Sequence, residues 1–183
     1  MQRNDNTIHQ LPTQSPLATE AQEMANRLEA VANMIQALGD PDATCDVFED
    51  SDAKSAYYIG RRLMQAAEVW KALSSNCSNP EIKVAELDLK DSTKGDIERS
   101  AKEKDGADLG GALEEFADLF IDPARHMFFV IMNRYESEAR GEGGVYQSAF
   151  FIDRMLGDLV QDSDNLLKRF CNHWSGQEVF KVA

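Results

Sequence analysis

The sequence predicts a mainly α-helical, compact single domain of about five to six helices. Three observations predict it. Apolar residues recur at three- and four-residue spacing along most of the chain. Ser, Thr, Asp, Pro and Gly punctuate those runs at helix-length intervals, and two-residue alternation is confined to one short stretch. A length of 183 residues suits one domain and a core that needs no disulfide or metal. A hydrophobic share of 43% argues against wholesale disorder.

Residues 1–17 are polar and carry Pro12 and Pro16, which reads as a flexible arm before a helical domain at 18–183. Thr19 with Gln22 three residues on has the spacing of a capping box. Ala21, Met24, Ala25, Leu28, Val31, Ala32, Ile35 and Leu38 then continue one helical stripe. Gly39 stands where a C-terminal glycine belongs, and Pro41 blocks continuation. Residues 40–52 form an acidic connection. A second helix is expected from about Ala53 to Leu73, capped by Ser51 or Asp52, with Ala56, Ile59, Gly60, Leu63, Ala67 and Trp70 on its stripe. Gly60 reads either as a close helix crossing or as a tolerated weak point.

Residues 74–107 change character and read as a polar connection between two helical halves. SSNCSNP has loop chemistry. Ile82, Val84, Leu87 and Leu89 alternate in part, a strand signal, and the tail EVFKVA at 178–183 is its expected partner in a two-stranded ribbon. The following DSTKGDIERSAKEKDG is a solvated helix at best. Leu109, Ala112, Leu113, Phe116 and Phe120 restore the helical period. Asp122-Pro123 then starts a helix over 123–139 whose HMFFVIM segment is apolar on every side, which predicts the most buried helix of the fold. RGEGG turns the chain. Val145, Ala149, Ile152, Leu156 and Leu159 make another helix, and Ser163 is read as the cap of a last short one carrying Leu166, Phe170 and Trp174.

The charge is the strongest global feature: 32 acidic against 19 basic residues, a net −13. Such a field disfavours phosphate backbones and anionic lipid and favours basic protein surfaces. It is uneven. Residues 1–52 sum to −8 and residues 108–139 to −5, whereas residues 53–73 sum to +3. Asp40, Asp42, Asp46, Glu49, Asp50 and Asp52, with Glu114, Glu115 and Asp118, are the candidate partner-binding residues. On a helical frame they would compete for a partner's lysines and arginines. The device resembles, in composition alone, small acidic inhibitors of nucleic-acid enzymes such as anti-restriction and anti-CRISPR proteins. The one basic element carries Tyr57, Tyr58, Arg61 and Arg62, a secondary basic and aromatic patch, most simply paired with the adjacent acidic segment.

Catalytic and metal signatures are weak. No G-x-S-x-G, P-loop or C-x-x-C occurs. Asp122 and His126 have chelating spacing without a second pair of ligands. Asp40, Asp42 and Asp46 fail the calcium-loop pattern at Thr44, Cys45 and Ser51. Arg169 and His173 lie one turn apart and resemble the active pair of the helical HEPN ribonucleases, whose motif has a longer gap than the three residues here. That resemblance implies a ribonuclease-like site. The odd, scattered Cys45, Cys77 and Cys171, and an N-terminus without an apolar leader, suit a cytoplasmic chain. The residues therefore point to a non-catalytic protein with no cofactor and no metal. Its expected partner is a protein with a basic surface, with no direct nucleic acid and no membrane. The alternative is a helical scaffold that forms homo-oligomers through apolar helix faces.

Overall fold

The computed structural model describes residues 15–40, 50–79, 84–100, 120–136 and 144–176. They form five α-helices: α1 Pro16–Leu38, α2 Asp50–Asn76, α3 Asp91–Ser100, α4 Asp122–Glu136 and α5 Gly144–Trp174, with a 3-10 turn at Val84–Glu86. No strand occurs among the described residues.

Three long helices each carry a seam whose spacing alternates three and four. In α1 it is Ala18, Ala21, Ala25, Leu28, Ala32 and Ile35; in α2, Asp52, Ala56, Ile59, Leu63, Ala66, Trp70 and Leu73, continued by Cys77 just past its end; in α5, Ala149, Ile152, Leu156, Leu159, Ser163, Leu166 and Phe170. Every one of these positions is buried. This is the heptad pattern that lets helices pack along their whole length.

The contacts fix the directions. Gly39 meets Ala53 and Gly60 meets Ala32, so α1 and α2 run antiparallel. Glu20 pairs with Arg169, and seven residues later Arg27 pairs with Asp162 seven residues earlier, so α1 and α5 are antiparallel too. Asp52 with Arg134 sets α4 against the start of α2, and Arg125 lies over Gly157 of α5. Each helix thus runs against its neighbours in the ring α1–α2–α4–α5, an up-down-up-down arrangement. The short α4 spans one half of this ring. In the other half α2 and α5 meet directly, and bulky rings take up the space. Trp70 and Phe170 have centroids 6.2 Å apart, Phe170 and Trp174 5.4 Å. The Trp174 indole donates to the Cys77 carbonyl at 2.8 Å.

Several expectations are corrected. The first helix begins one turn early, at Pro16, because Ser15-Pro16 is itself a cap-and-first-position pair; residues 16 and 17 leave the arm. Thr19 is inside the helix and its hydroxyl faces the Ser15 carbonyl. Gln22 donates to Asn26, so no capping box forms. Asp52 is not a cap of α2 but a buried residue within it. Residues 84–89 do not form a strand: Val84–Glu86 turns as 3-10, while Leu87 and Leu89 insert into the core. The ribbon's other half, 178–183, and the stripe at 109–116 lie outside the described residues. Ser163 is buried mid-helix, and α5 continues unbroken for 31 residues, since QDSDN holds no glycine or proline to stop it. The helix α4 is not the most buried: Phe128 is fully enclosed, but Phe129 is 47% and Val130 56% exposed. The fully buried positions of α1 and α2 mark those helices as the centre instead.

Gly60 marks a close crossing. A β-carbon there would lie 2.5 Å from Gln36 Cγ and 3.0 Å from the Ala32 carbonyl oxygen. Gly39 has an ordinary φ of −96°, so its backbone would accept any residue, yet a β-carbon would stand 2.7 Å from the Ala53 carbonyl oxygen. Space, not backbone conformation, requires glycine here. Gly39→Ala is expected to destabilise the fold by about 1–3 kcal/mol in urea titration. The usual stabilisation on replacing a surface glycine would contradict the close approach.

Candidate functional site

The α1–α2–α5 frame leaves three kinds of surface to consider: the nominated acids, the basic and aromatic patch on α2, and the last turn of α5.

Of the acids, Asp40 is exposed just past the end of α1. Asp50 is the first residue of α2. Asp42, Asp46, Glu49, Glu114, Glu115 and Asp118 lie outside the described residues. Asp52 is placed, and it is 3% exposed. Its Oδ1 accepts from Arg134 Nη1 at 2.5 Å across 82 residues of sequence. A carboxylate so enclosed is neutralised within the fold, so Asp52 is withdrawn from any docking surface.

The patch on α2 divides in two. Tyr57 and Arg61 are exposed. Arg62 is instead drawn into the structure. Its Nε donates to the Tyr58 hydroxyl at 2.9 Å, and its Nη1 to Asp96 Oδ2 at 3.0 Å and Gln65 Oε1 at 3.3 Å. The guanidinium also lies over the rings of Tyr58 and Phe120, 5.2 Å and 5.6 Å from their centroids. One arginine therefore ties α2 to α3 and to the residue that leads into α4. The simple expectation that helix two pairs with the preceding acidic segment is corrected for these residues: Arg62 finds Asp96 on α3, and Lys71 finds Glu29 on α1.

The last turn of α5 carries Arg169 and His173. Arg169 makes a two-pronged contact with Glu20, Nη1 to Oε2 and Nη2 to Oε1, the latter at 2.8 Å. The hydrogen bond that Arg169 donates to Glu20 raises the Arg169 pKa above its ordinary value, outweighing the opposing effect of partial burial. That guanidinium is a structural staple between α1 and α5. His173 is exposed beside it.

Other residues that do visible work are Asp96, Glu68, Thr93 and Arg134. Glu68 Oε2 accepts from the buried Thr93 hydroxyl at 2.8 Å, and its Oε1 pairs with Lys90 at 2.6 Å. That hydrogen bond, and then the charge of Glu68, raise the Lys90 pKa. Sequence reading missed these groups because each partner lies 22 to 82 residues away. The only local signal was the burial spacing of Asp52.

At the start of α4 an open hollow of about 850 Å³ is lined by Asp122, Pro123, Arg125, His126 and Phe129. Among the described residues no three of His, Cys, Asp and Glu are grouped to hold a metal. No helix of the described residues is long and apolar enough to cross a membrane.

Comparison with protein-family models, with curated proteins and with solved structures finds no match to this chain.

The two kinds of ion pair should separate on mutation. Arg134→Ala removes the guanidinium that faces the enclosed Asp52 carboxylate and is expected to cost about 1–3 kcal/mol. Asp162→Asn breaks a pair whose partners are about half exposed, and should cost less than about 1 kcal/mol. Urea denaturation of both variants checks the order. An Asp162→Asn cost as large as that of Arg134→Ala would overturn the placement of Asp52.

Proposed function

We propose that the protein is a non-catalytic, helical binding protein whose anionic surface docks on a basic surface of a protein partner, as an inhibitor or regulator that mimics a nucleic acid. The observation that carries this reading is how the cations are used. Arg27, Arg62, Lys71, Lys90, Arg134 and Arg169 each pair with a carboxylate of another element. Basic residues are thus spent on holding the frame together. With a net charge of −13, at least that many carboxylates have no basic residue in the chain to neutralise them. Glu23, Asp122, Asp158 and Asp164 are among the exposed ones. Carried on packed helices, such charges keep fixed spacings and attract a complementary basic surface from a distance.

The second reading, a scaffold that self-associates through apolar helix faces, is favoured by Phe129 and Val130 on α4 and Phe150 and Phe151 on α5, all about half exposed.

Capture of partners on the immobilised full chain from its own cell, followed by calorimetry at rising salt, tests the first reading. Basic proteins whose affinity falls steeply with ionic strength are expected. Salt-insensitive binding would remove it. Light scattering at high salt tests the second: a stable oligomer supports self-association, and a strict monomer removes it.

A further inference from the structure

The segment that joins the two halves of the bundle is attached in a different way from everything else. The ten-residue α3 is too short to be helical alone in water. It takes no part in the heptad seams of α1, α2 and α5. Its neighbour in close backbone contact is the 3-10 turn at Val84–Glu86. What fastens it to α2 is a set of side chains. Asp96 accepts from Arg62 and from Gln65, at 3.0 and 2.9 Å. Glu68 accepts from Thr93 and from Lys90. Arg62, Gln65 and Glu68 stand three apart and so share one face of α2. Among the described side chains, Leu87, Leu89 and Ile97 also reach the apolar core.

We propose that residues 84–100 are a strap that opens as one unit while the α1–α2–α4–α5 bundle stays folded, and that Asp96 is its latch. In the closed state Asp96 occupies the guanidinium of Arg62 in cis, and α3 covers the Arg62, Gln65 and Glu68 face. Opening presents that face to solvent. The latch is electrostatic and partly solvated, the Arg62 and Asp96 side chains being 26% and 22% exposed. Ionic strength therefore weakens it. The bundle is held chiefly by the apolar residues of its seams, which moderate salt does not weaken, so the two respond differently. This inference does not depend on what the protein binds.

Hydrogen exchange of the full chain, followed by mass spectrometry, tests it. Peptides from 84–100 should exchange about tenfold or more faster than those of α1 and α2, relative to their intrinsic rates. Added salt should accelerate exchange in 84–100 alone. Asp96→Asn should accelerate the same peptides at low salt and blunt the further effect of salt. The comparison in the unaltered protein needs no variant to fold. Exchange of 84–100 at the rate of α1 and α2 would overturn the strap, as would salt or Asp96→Asn accelerating all helices alike, or Asp96→Asn leaving 84–100 unchanged.

Discussion

The contact between α1 and α2 is the constraint on which the rest of the architecture depends. Ala32 of α1 against Gly60 of α2, and Gly39 against Ala53 and Ala56, leave little side chain between the two helices at these points. Their backbones approach closely enough that a β-carbon at Gly60 would press on the Ala32 carbonyl. Helices this close gain many dispersion contacts but bury little area per residue, so larger side chains must come from elsewhere. Trp70, Leu73, Phe128 and Phe170 supply them, pointing from α2, α4 and α5 into the centre of the ring. The small-residue pair is thus the rigid half of the bundle, and the aromatic half packs onto it.

Charge follows the same division. The staples Glu20–Arg169 and Arg27–Asp162 lie one heptad apart on both α1 and α5 and hold their register. The enclosed Asp52, paired with the half-exposed Arg134, fixes α4 on the first turn of α2. An enclosed carboxylate is a poor source of net stability but a strict specifier of geometry, because a misplaced helix would take away the half-exposed guanidinium it faces. Each of these cations neutralises a carboxylate at a contact between elements, and the excess of acidic over basic residues leaves the chain its net charge of −13.

Much of the fold was legible in the sequence. The stripes of α1, α2 and α5 are periodic, and Gly39, Asp122-Pro123 and Ser175-Gly176 mark ends that the structure keeps. What was not legible depended on tertiary partners. Ser163 has the chemistry of a cap, but a helix stops only where something breaks its backbone pattern, and nothing does so there. HMFFVIM promised full burial on every side, yet a ring of four helices covers only part of α4, and Phe129 and Val130 stay half exposed. Leu87 and Leu89 alternate as a strand would, because a turn that drops two side chains into a core produces the same spacing. For the candidate site, local spacing nominated Tyr58 and Arg62 together and they do meet, as i and i+4 neighbours on α2. The Asp96 that engages Arg62 lies 34 residues further on, beyond the reach of any periodicity argument.

The close approach of α1 and α2 is tested most directly by nuclear Overhauser contacts in the labelled full chain. Strong contacts from the Gly60 α-protons to the Gln36 γ-protons are expected. Their absence, with Gly60 contacting only residues of its own helix, would contradict it.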